Sequence, residues 1–338
     1  MKDDVNHVSL ITKIRAMEGR LLKDIDYNNM YSMNSILEIY AYLHEREDYR
    51  QIFDSHEEIV ELHRNQLEHL LVHSLYDNII KIYRFATGEE RRFLDIIITR
   101  FEIDAIKKCI ANIGKGESVK RVVTYANFFK EHSSIDITEI SKAKDIRQFT
   151  RCLKGTKYFK LFEELLTREY VKLSDYETAL DIAYYTGIWN AKNTFNSDTE
   201  EIITHFLGTE IDLYNIKNIF RCKKFYNMSP DIIRSYVVSE GYRIKKQELE
   251  AMINAIDING FIKEFKMTFY AKSEISYEIK NLEASFERTR NDIHFNFIKK
   301  NPNSLARVYA YFDKKSYEVN YLTRIIENIR YKNKQMNI

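Results

Sequence analysis

The chain has few residues that break helices: 2 of its 338 residues are proline and 9 are glycine. Proline interrupts helices, and tight turns between strands depend on glycine, so their scarcity argues against an all-β protein. Leu, Ile, Glu and Lys fill long stretches in which apolar residues recur with the period of a helix and no strict alternation persists. We therefore predict an all-α fold, and the 44% of apolar residues suffice for a sizeable core.

Strong charge, long apolar runs and paired cysteines are also lacking. Lys and Arg number 52 and Asp and Glu 50, so the net charge of +2 gives no indication of a nucleic-acid partner. No run approaches the roughly 18 apolar residues of a membrane span, and residues 1–7 carry acids where a secretory signal has an apolar segment. Three distant cysteines, Cys109, Cys152 and Cys222, fit small buried groups in a reducing cytoplasm.

The usual motifs of catalytic sites are missing. Residues 114–116 (Gly-Lys-Gly) lack the earlier glycine and the Ser or Thr of a nucleotide-binding loop, and are typical of a helix end. His69 and His73 have the spacing of a zinc-binding pair, with His63 nearby, but Leu70 stands where a metalloprotease motif needs Glu. We predict neither a metal nor a cofactor, and a metal-dependent helical hydrolase using this histidine region is kept as an alternative.

One stretch recurs three times along the chain. It begins at an acid at positions 102, 212 and 318, which are 110 and 106 residues apart. Apolar residues follow each acid at matching offsets: Ile103, Ile106 and Ile110; Leu213, Ile216 and Phe220; Val319, Leu322 and Ile326. Spacings of three and four place these side chains on one stripe of a helix. One helical unit has therefore been used three times, and we call these stretches the motif helices.

Two further landmarks keep the same order and period. The first is an apolar residue followed by an acid, at Leu67-Glu68, Tyr176-Glu177 and Leu282-Glu283. The second is an apolar residue followed by an aromatic one, at Leu43 and Tyr49, Leu153 and Tyr158, and Ile256 and Phe261. The acids of the first landmark lie in three separate repeats, so we interpret them as structural rather than catalytic. A biased composition is the alternative source of such periodicity.

The periodic stretches predict a series of helices and breaks. Helices are expected over residues 8–22, 35–53 (one or two), 55–86, 91–113, 210–224, 277–300 and 305–331 (one or two). Breaks are expected at 87–90, at 186–187, at 193–198, at 226–229 before a helix capped by Ser229, and at 301–304. We predict three helical repeats over residues 1–118, 119–230 and 231–338, with approximate boundaries and an N-terminal helix that can pack on the third.

The motif helices, taken with the N-terminal helix, resemble the C subunit of the central stalk of V-type and A-type ATPases, called the d subunit in the eukaryotic enzyme. The family's repeated helix reads acid, apolar, two variable residues, apolar, lysine, then apolar residues and a basic end, and residues 212–223 are similar to it throughout. The first copy has Ala105 where members often carry Asn, and the last has Thr323 and Glu327 in place of the usual Lys and Arg. Residues 14–22 resemble the family's opening helix, so the likeness covers essentially the whole chain.

The resemblance implies three similar helical lobes around a pseudo-threefold axis, in a funnel-shaped body. It implies a non-catalytic rotor subunit that couples the central shaft to the membrane rotor ring of proteolipid subunits, for ion transport that is driven by ATP turnover or drives it. Its partners would be those shaft and ring subunits, with the chain cytoplasmic and peripheral to the membrane. Lys107, Lys217 and Arg221 are the interface candidates. The alternative within the binding class is a generic helical scaffold for other partners.

Overall fold

The structure is a computed structural model that describes residues 7–54, 64–115, 126–169, 171–272 and 279–336. Its regular elements over these ranges are helices, with no strand among them, which confirms the all-α prediction. The chain divides into two compact units: unit 1 comprises Met1–Thr156 and Asn303–Ile338, and unit 2 comprises Lys157–Pro302. No helix of the described ranges has the length and apolar character needed to cross a membrane.

The α-helices follow one another in chain order, with short 3₁₀ helices at Lys192–Thr194 and Phe269–Lys272. They are α1 (Val8–Glu18), α2 (Asp24–Tyr31), α3 (Ile36–His44), α4 (Glu47–Asp54), α5 (Arg64–Tyr83), α6 (Gly88–Lys115), α7 (Ala126–His132), α8 (Ile137–Ile140), α9 (Ile146–Cys152), α10 (Phe159–Leu166), α11 (Leu173–Ala191), α12 (Ser197–Tyr226), α13 (Pro230–Arg234), α14 (Lys246–Asn254), α15 (Ile258–Phe265), α16 (Ile279–Lys300) and α17 (Ala306–Met336).

Unit 1 is organised around α17, which packs against α5, α1 and α2, so the two ends of the chain meet within this unit. Helix α4 in turn packs against α3 and α5. The start of α3 is fixed locally, because the Ser35 hydroxyl accepts a hydrogen bond from the Glu38 N–H while the Glu38 carboxylate accepts one from the Asn34 N–H. Gly88, with a φ of +43°, begins α6 in a conformation that favours glycine.

Unit 2 is organised around α12, which contacts α11, α13, α14, α15 and α16. Its core joins one face of α12 to the hairpin of α14 and α15, and Ile219, Phe220, Met252, Phe261 and Phe265 are all buried there. Burying an aromatic or aliphatic side chain of this size stabilises a fold by about 1.5–3 kcal/mol. The hairpin is therefore held mainly by apolar packing against α12.

The long periodic stretches form helices as predicted. The three motif helices are α6, α12 and α17, and α17 is a single helix. Helix α12 begins at Ser197, well before the expected residue 210, because Asn196 caps it by accepting a hydrogen bond from the Thr199 N–H. The residues from 35 to 53 form the pair α3 and α4, and the predicted stretch 55–63 lies outside the described residues. Ser229 takes the N-cap position of α13, although its side chain makes no capping hydrogen bond.

Several details of the prediction are wrong. Helix α1 ends at Glu18 rather than at residue 22, and the break between α5 and α6 spans residues 84–87 rather than 87–90. The break expected at residues 186–187 does not occur, since Gly187 lies inside α11 and the helix is interrupted only at Lys192–Thr194. A helical glycine costs about 1 kcal/mol relative to alanine, and burial of the neighbouring Tyr184 and Ile188 offsets that cost. The landmark residue Ile256 is 99% exposed, whereas its counterparts Leu43 and Leu153 are buried, and Ile253 at the end of α14 is buried in its place.

Candidate interface on the motif helices

The apolar stripe of each motif helix is buried. All nine residues of the three stripes are at most 7% exposed: Ile103, Ile106, Ile110, Leu213, Ile216, Phe220, Val319, Leu322 and Ile326. The stripe is therefore a core face in every copy, and any partner must meet other faces of these helices. The acids that begin the three stripes are buried as well, namely Glu102, Asp212 and Glu318, and we call them the repeated acids.

In unit 1 the carboxylate of Glu102 holds the end of α7. Its Oε1 atom accepts hydrogen bonds from the Ser134 N–H at 3.0 Å and from the hydroxyls of Ser133 and Ser134 at 2.5 and 3.0 Å. These donors lie 31 and 32 residues further along the chain. The acid thus joins a motif helix to the loop that leads into α8.

In unit 2 the carboxylate of Asp212 holds the loop before α14. It accepts hydrogen bonds from three successive backbone N–H groups, those of Tyr242, Arg243 and Ile244, at 3.1, 2.6 and 3.2 Å. The Tyr270 hydroxyl donates a fourth at 2.9 Å. A Cβ atom on Gly241 would lie 2.7 Å from Asp212 Oδ1, so only glycine leaves room for this approach. Burial nevertheless raises the pKa of Asp212, against the lowering by its hydrogen-bond donors.

The third repeated acid belongs to a buried ion cluster in unit 1. Lys315 is 0% exposed, and its Nζ atom lies 2.9 Å from Asp48 Oδ2 and 2.7 Å from Glu318 Oε1. Glu318 also accepts hydrogen bonds from the Tyr49 hydroxyl at 2.5 Å and the Leu22 N–H at 2.7 Å. Two carboxylates thus share one ammonium group inside the protein.

Lys315 and Asp48 hold each other ionised. Burial disfavours the charge on Lys315, but Glu318 and Asp48 outweigh it and raise the pKa of Lys315 above its ordinary value. Burial likewise acts to raise the pKa of Asp48, and the charge and hydrogen bond of Lys315, with a hydrogen bond from Asn78, bring that pKa below its ordinary value. Asn78, on α5, also donates to the Tyr311 hydroxyl of α17 at 2.9 Å, which brings α5 into the network.

Sequence reasoning did not single out Lys315, although one signal was present. Lys315 stands seven residues before Leu322 and four before Val319, so it falls on the apolar stripe of its own helix. A lysine in that phase is buried and must find a carboxylate. Glu318, three residues on, provides one, while Asp48 lies too far away in sequence for any local pattern to indicate it.

The three interface candidates lie on two motif helices in different units. Lys107 is on α6 and is half-buried, whereas Lys217 and Arg221 are four residues apart on α12, where Lys217 is half-buried and Arg221 is exposed. A spacing of four places the last two on one side of α12. Whether these three cations contact a partner stays a prediction.

Exposed apolar residues lie at the end of α12, on α13 and just after α14. Its members are Phe225, Tyr226, Ile232 and Ile256, which are 47%, 61%, 48% and 99% exposed. Two contacts bring their segments together: Lys223 Nζ donates to the Ala255 carbonyl oxygen at 2.5 Å, and Arg234 on α13 bonds Asn254 at 2.9 Å. Exposed apolar groups gathered in this way are typical of a surface that binds another protein.

The described part of the chain offers no cluster of metal ligands. No group of three or more His, Cys, Asp or Glu side chains there could hold a metal ion. The rings of His69 and His73 lie 6.3 Å apart, and His63 falls outside the described residues. Burial raises the pKa of Cys109 to about 12, which keeps this thiol protonated.

The acids of the other landmark are not brought together either. Glu68 on α5 belongs to unit 1 and Glu177 on α11 to unit 2, and both are half-buried. The side chain of Glu283 lies outside the described residues. The interpretation of these acids as structural therefore stays a prediction.

Comparison with known proteins gives one consistent result. The family described as ATP synthase (C/AC39) subunit matches residues 10–337. The C subunit of the A-type ATP synthase of Methanothermobacter thermautotrophicus is 25% identical over 328 residues, covering 94% of this chain and 82% of that protein. The protein of the same name from Methanococcoides burtonii is 25% identical over 333 residues, covering 95% and 89%. That from Methanosphaera stadtmanae is 22% identical over 332 residues, covering 94% and 82%.

The match extends over nearly the whole chain, including all three motif helices. It confirms the recognition made from those helices and the prediction of a non-catalytic subunit. This chain belongs to the ATP synthase (C/AC39) subunit family.

Proposed function

We propose that this chain is the C subunit of an A-type or V-type rotary ATPase and couples the central shaft to the membrane rotor ring. The observation that carries the proposal is the family match over residues 10–337, together with relatives named as C subunits of A-type ATP synthases that align over most of both chains. The protein turns over no substrate. It transmits rotation for ion transport that ATP hydrolysis drives, or that drives ATP synthesis.

The proposed body has three similar lobes around a pseudo-threefold axis and a funnel shape that receives the end of the shaft. The three repeats would occupy approximately residues 1–118, 119–230 and 231–338. Support comes from the motif helices, because each buries the same apolar stripe and the same initial acid. The packing of α1 on α17 supports an N-terminal helix that joins the third repeat.

A part that transmits torque must resist bending and twisting. The motif helices have 28, 30 and 31 residues, which corresponds to lengths of about 42–46 Å. Their repeated acids, which are buried, hold neighbouring segments through hydrogen bonds to backbone N–H groups. Long helices braced at their sides by buried polar contacts make a stiffer body than helices joined only by exposed loops.

The partners would be the central-shaft subunits on one side and the proteolipid ring on the other. The exposed apolar residues at the end of α12, with Arg221 beside them, offer a surface of the kind that such a complex buries. Contacts of this type take about 800 Å² or more from each partner. The chain would be cytoplasmic and peripheral to the membrane, held there by the complex.

Co-purification tests this function directly. A tagged chain expressed in its own cells should bring down shaft and ring subunits in fixed ratio from mild-detergent extracts. A tagged chain that brings down neither of them contradicts the proposal, and capture of unrelated proteins alone would favour the generic scaffold.

The interface candidates need a separate experiment. Reversing Lys107, Lys217 and Arg221 to Glu together should reduce recovery of the shaft or ring subunits at least tenfold, since three repulsive contacts replace three attractive ones. Lys160→Glu, at a side chain that is 85% exposed on α10, is the matched control. Unchanged recovery with the triple variant would remove these residues from the interface and leave the coupling function in place.

A further inference from the structure

We propose that the buried cluster of Asp48, Tyr49, Lys315 and Glu318 is a clasp that joins the two ends of the chain, and that coupling of rotation depends on it. The second part rests on the proposed function, whereas the first concerns unit 1 alone. Lys315 is a positioning residue in this scheme, since its side chain is fully buried and acts through the helices that it holds.

The clasp links α17 near the end of the chain to α4 near its start. The Nζ atom of Lys315 reaches Asp48 on α4 at 2.9 Å and Glu318 on its own helix at 2.7 Å. Glu318 in turn accepts the Leu22 N–H, just after α1, at 2.7 Å. Every one of these groups is at least 95% buried except the Leu22 backbone, so water competes little for the contacts.

Exposed and half-exposed contacts continue the same seam. Arg307 Nε donates to Glu18 Oε2 at 2.7 Å, and Lys314 Nζ lies 3.1 Å from Glu18 Oε1. Further along α17, the rings of Tyr27 and Tyr321 meet edge to face at 4.9 Å. Contacts from Arg307 to Tyr321 run over 14 residues of one helix, which is about 21 Å. The two chain ends therefore form one continuous seam with the clasp at its centre.

Comparison of the repeated acids explains why the seam exists. Glu102 binds donors 31 and 32 residues further along the chain, and Asp212 binds backbone N–H groups 30 to 32 residues further along. The donor to Glu318 is instead the Leu22 N–H, 296 residues earlier in the chain. The third repeat is completed by α1 to α4, which no short loop joins to α17.

The large sequence separation of these segments explains why buried ion pairs join them. A loop that follows its motif helix in the chain stays near it by connectivity, but the two chain ends are tethered only through the rest of the protein. Buried ion pairs add little net stability compared with apolar packing, yet breaking one is costly because it leaves an unpaired buried charge. Partial separation of the two segments therefore costs more free energy when buried ion pairs join them than when apolar contacts of similar size do.

Torque applied to the protein would act on every junction between its helices. The seam joins segments 267 residues apart in sequence at Lys315 and Asp48, so no short loop holds them together and slippage under load is expected there first. A variant with a weakened clasp should still bind its partners but should lose part of the rotation transmitted per ATP.

Hydrogen–deuterium exchange on the full-length chain tests the clasp. Lys315→Met should speed exchange of the Leu22 amide and of α4 at least tenfold and leave the amides of Tyr242 to Ile244 unchanged. Asp212→Asn should do the reverse, which makes it the matched control. Equal acceleration in both regions with either variant would overturn the proposal, because it would mean general loosening.

A neutral variant covers the case in which Lys315→Met does not fold. Asp48→Asn, Lys315→Met and Glu318→Gln together remove all three charges and leave none unpaired. The Leu22 amide should again exchange at least tenfold faster in this variant than in the wild type. Wild-type protection of Leu22 in the neutral variant would show that the ions do not hold the seam.

The coupling claim is tested on the assembled ATPase in membrane vesicles. At equal content of this chain, the neutral variant should transport at most half as many ions per ATP as wild type, while Lys142→Met, at an exposed pair, should match wild type. A wild-type transport ratio together with faster Leu22 exchange would overturn the coupling role. Failure of the wild-type chain to join the complex would instead refute the proposed function, and the exchange result would still decide the clasp.

Discussion

Asp212 in unit 2 and Glu318 in unit 1 are both buried carboxylates that begin the apolar stripe of a motif helix, but different chemistry satisfies them. In unit 2 four donors without formal charge surround Asp212, three of them successive backbone N–H groups. In unit 1 Glu318 shares Lys315 with Asp48 in an ion cluster. Neutral donors suffice where the loop follows its own motif helix, and ions appear where the chain ends meet.

The two solutions also differ in what burial does to the charges. Burial raises the pKa of Asp212, because it outweighs the uncharged donors around that carboxylate. In unit 1 the pKa of Asp48 is lowered, since Lys315 outweighs burial. The charge of Asp212 thus costs stability at neutral pH, whereas the charge of Asp48 contributes to it. The two carboxylates should therefore respond to acid in opposite directions.

The largest effect is expected from Lys315→Met. It leaves Asp48 and Glu318 buried without a counter-charge, which destabilises a protein by about 3–5 kcal/mol. Lys142→Met removes an exposed pair with Glu139 and should leave the free energy of unfolding close to that of wild type. Denaturation in urea at pH 7 measures both. Equal effects of the two variants would mean that the cluster contributes no more than a surface ion pair.

Gly208→Ala should perturb unit 2 by breaking the support of Asp212. A Cβ atom at this position would lie 2.5 Å from the Cβ of Tyr242 and 3.1 Å from the ring of Trp189. The displaced Tyr242 carries one of the N–H groups that bind Asp212. Overpacking of this kind costs about 1–3 kcal/mol, and the urea midpoint should fall accordingly. A midpoint equal to wild type would show that α12 and this loop separate without cost.

Low pH should change the stability contributed by Asp48 and by Asp212 in opposite directions. The folded-state pKa of Asp48 lies below its ordinary 3.8, so its stabilisation is present above 3.8 and is lost as the pH falls through the lowered value. The folded-state pKa of Asp212 lies above 3.8, so its protonation stabilises the fold as the pH falls through that raised value. On acidification the free energy of unfolding of wild type should therefore fall relative to that of Asp48→Asn. Relative to that of Asp212→Asn it should rise.

Free energies of unfolding measured from pH 6 to pH 3 give the stability difference between wild type and each variant. If both differences change in the same direction on acidification, the pKa directions of Asp48 and Asp212 are contradicted.

The smallest effect, and a stabilising one, is expected from Gly187→Ala. Nothing lies within 4 Å of a Cβ added there, and Gly187 is inside α11 without positive φ. Alanine is better than glycine in a helix interior, and the gain is about 0.4–1 kcal/mol. A higher midpoint of thermal unfolding would distinguish this glycine from Gly208, and a lower one would show that α11 does require flexibility at this point.

Much of the fold could be predicted from the sequence, because apolar residues recur at helical spacing over many turns of each long helix. The stripes from Ile103 to Ile110, from Leu213 to Phe220 and from Val319 to Ile326 identified the motif helices and the family. Short elements were less accessible: α2 is started by the Lys23 N–H bonding the Asp26 carboxylate, a contact that leaves little trace in the apolar pattern. The break predicted at Gly187 was wrong because a single glycine costs less than the packing of the rest of α11 contributes.

The candidate interface was less predictable than the fold. The partners of the repeated acids lie about 30 residues away or at the other end of the chain, so no local pattern couples Glu318 to Leu22 or Lys315 to Asp48. The lysine on an apolar stripe was the one accessible signal. Ile256 shows the limit of landmark matching, because its spacing fitted the repeat while the buried residue was Ile253.

The coupling role is tested most directly by measuring ATP-driven ion uptake and ATP hydrolysis together, in vesicles and soluble fractions from cells with and without the gene for this chain. Without the chain, uptake should be lost while hydrolysis persists in the soluble fraction, because the shaft no longer turns the ring. Uptake per ATP that equals wild type in its absence would contradict the account.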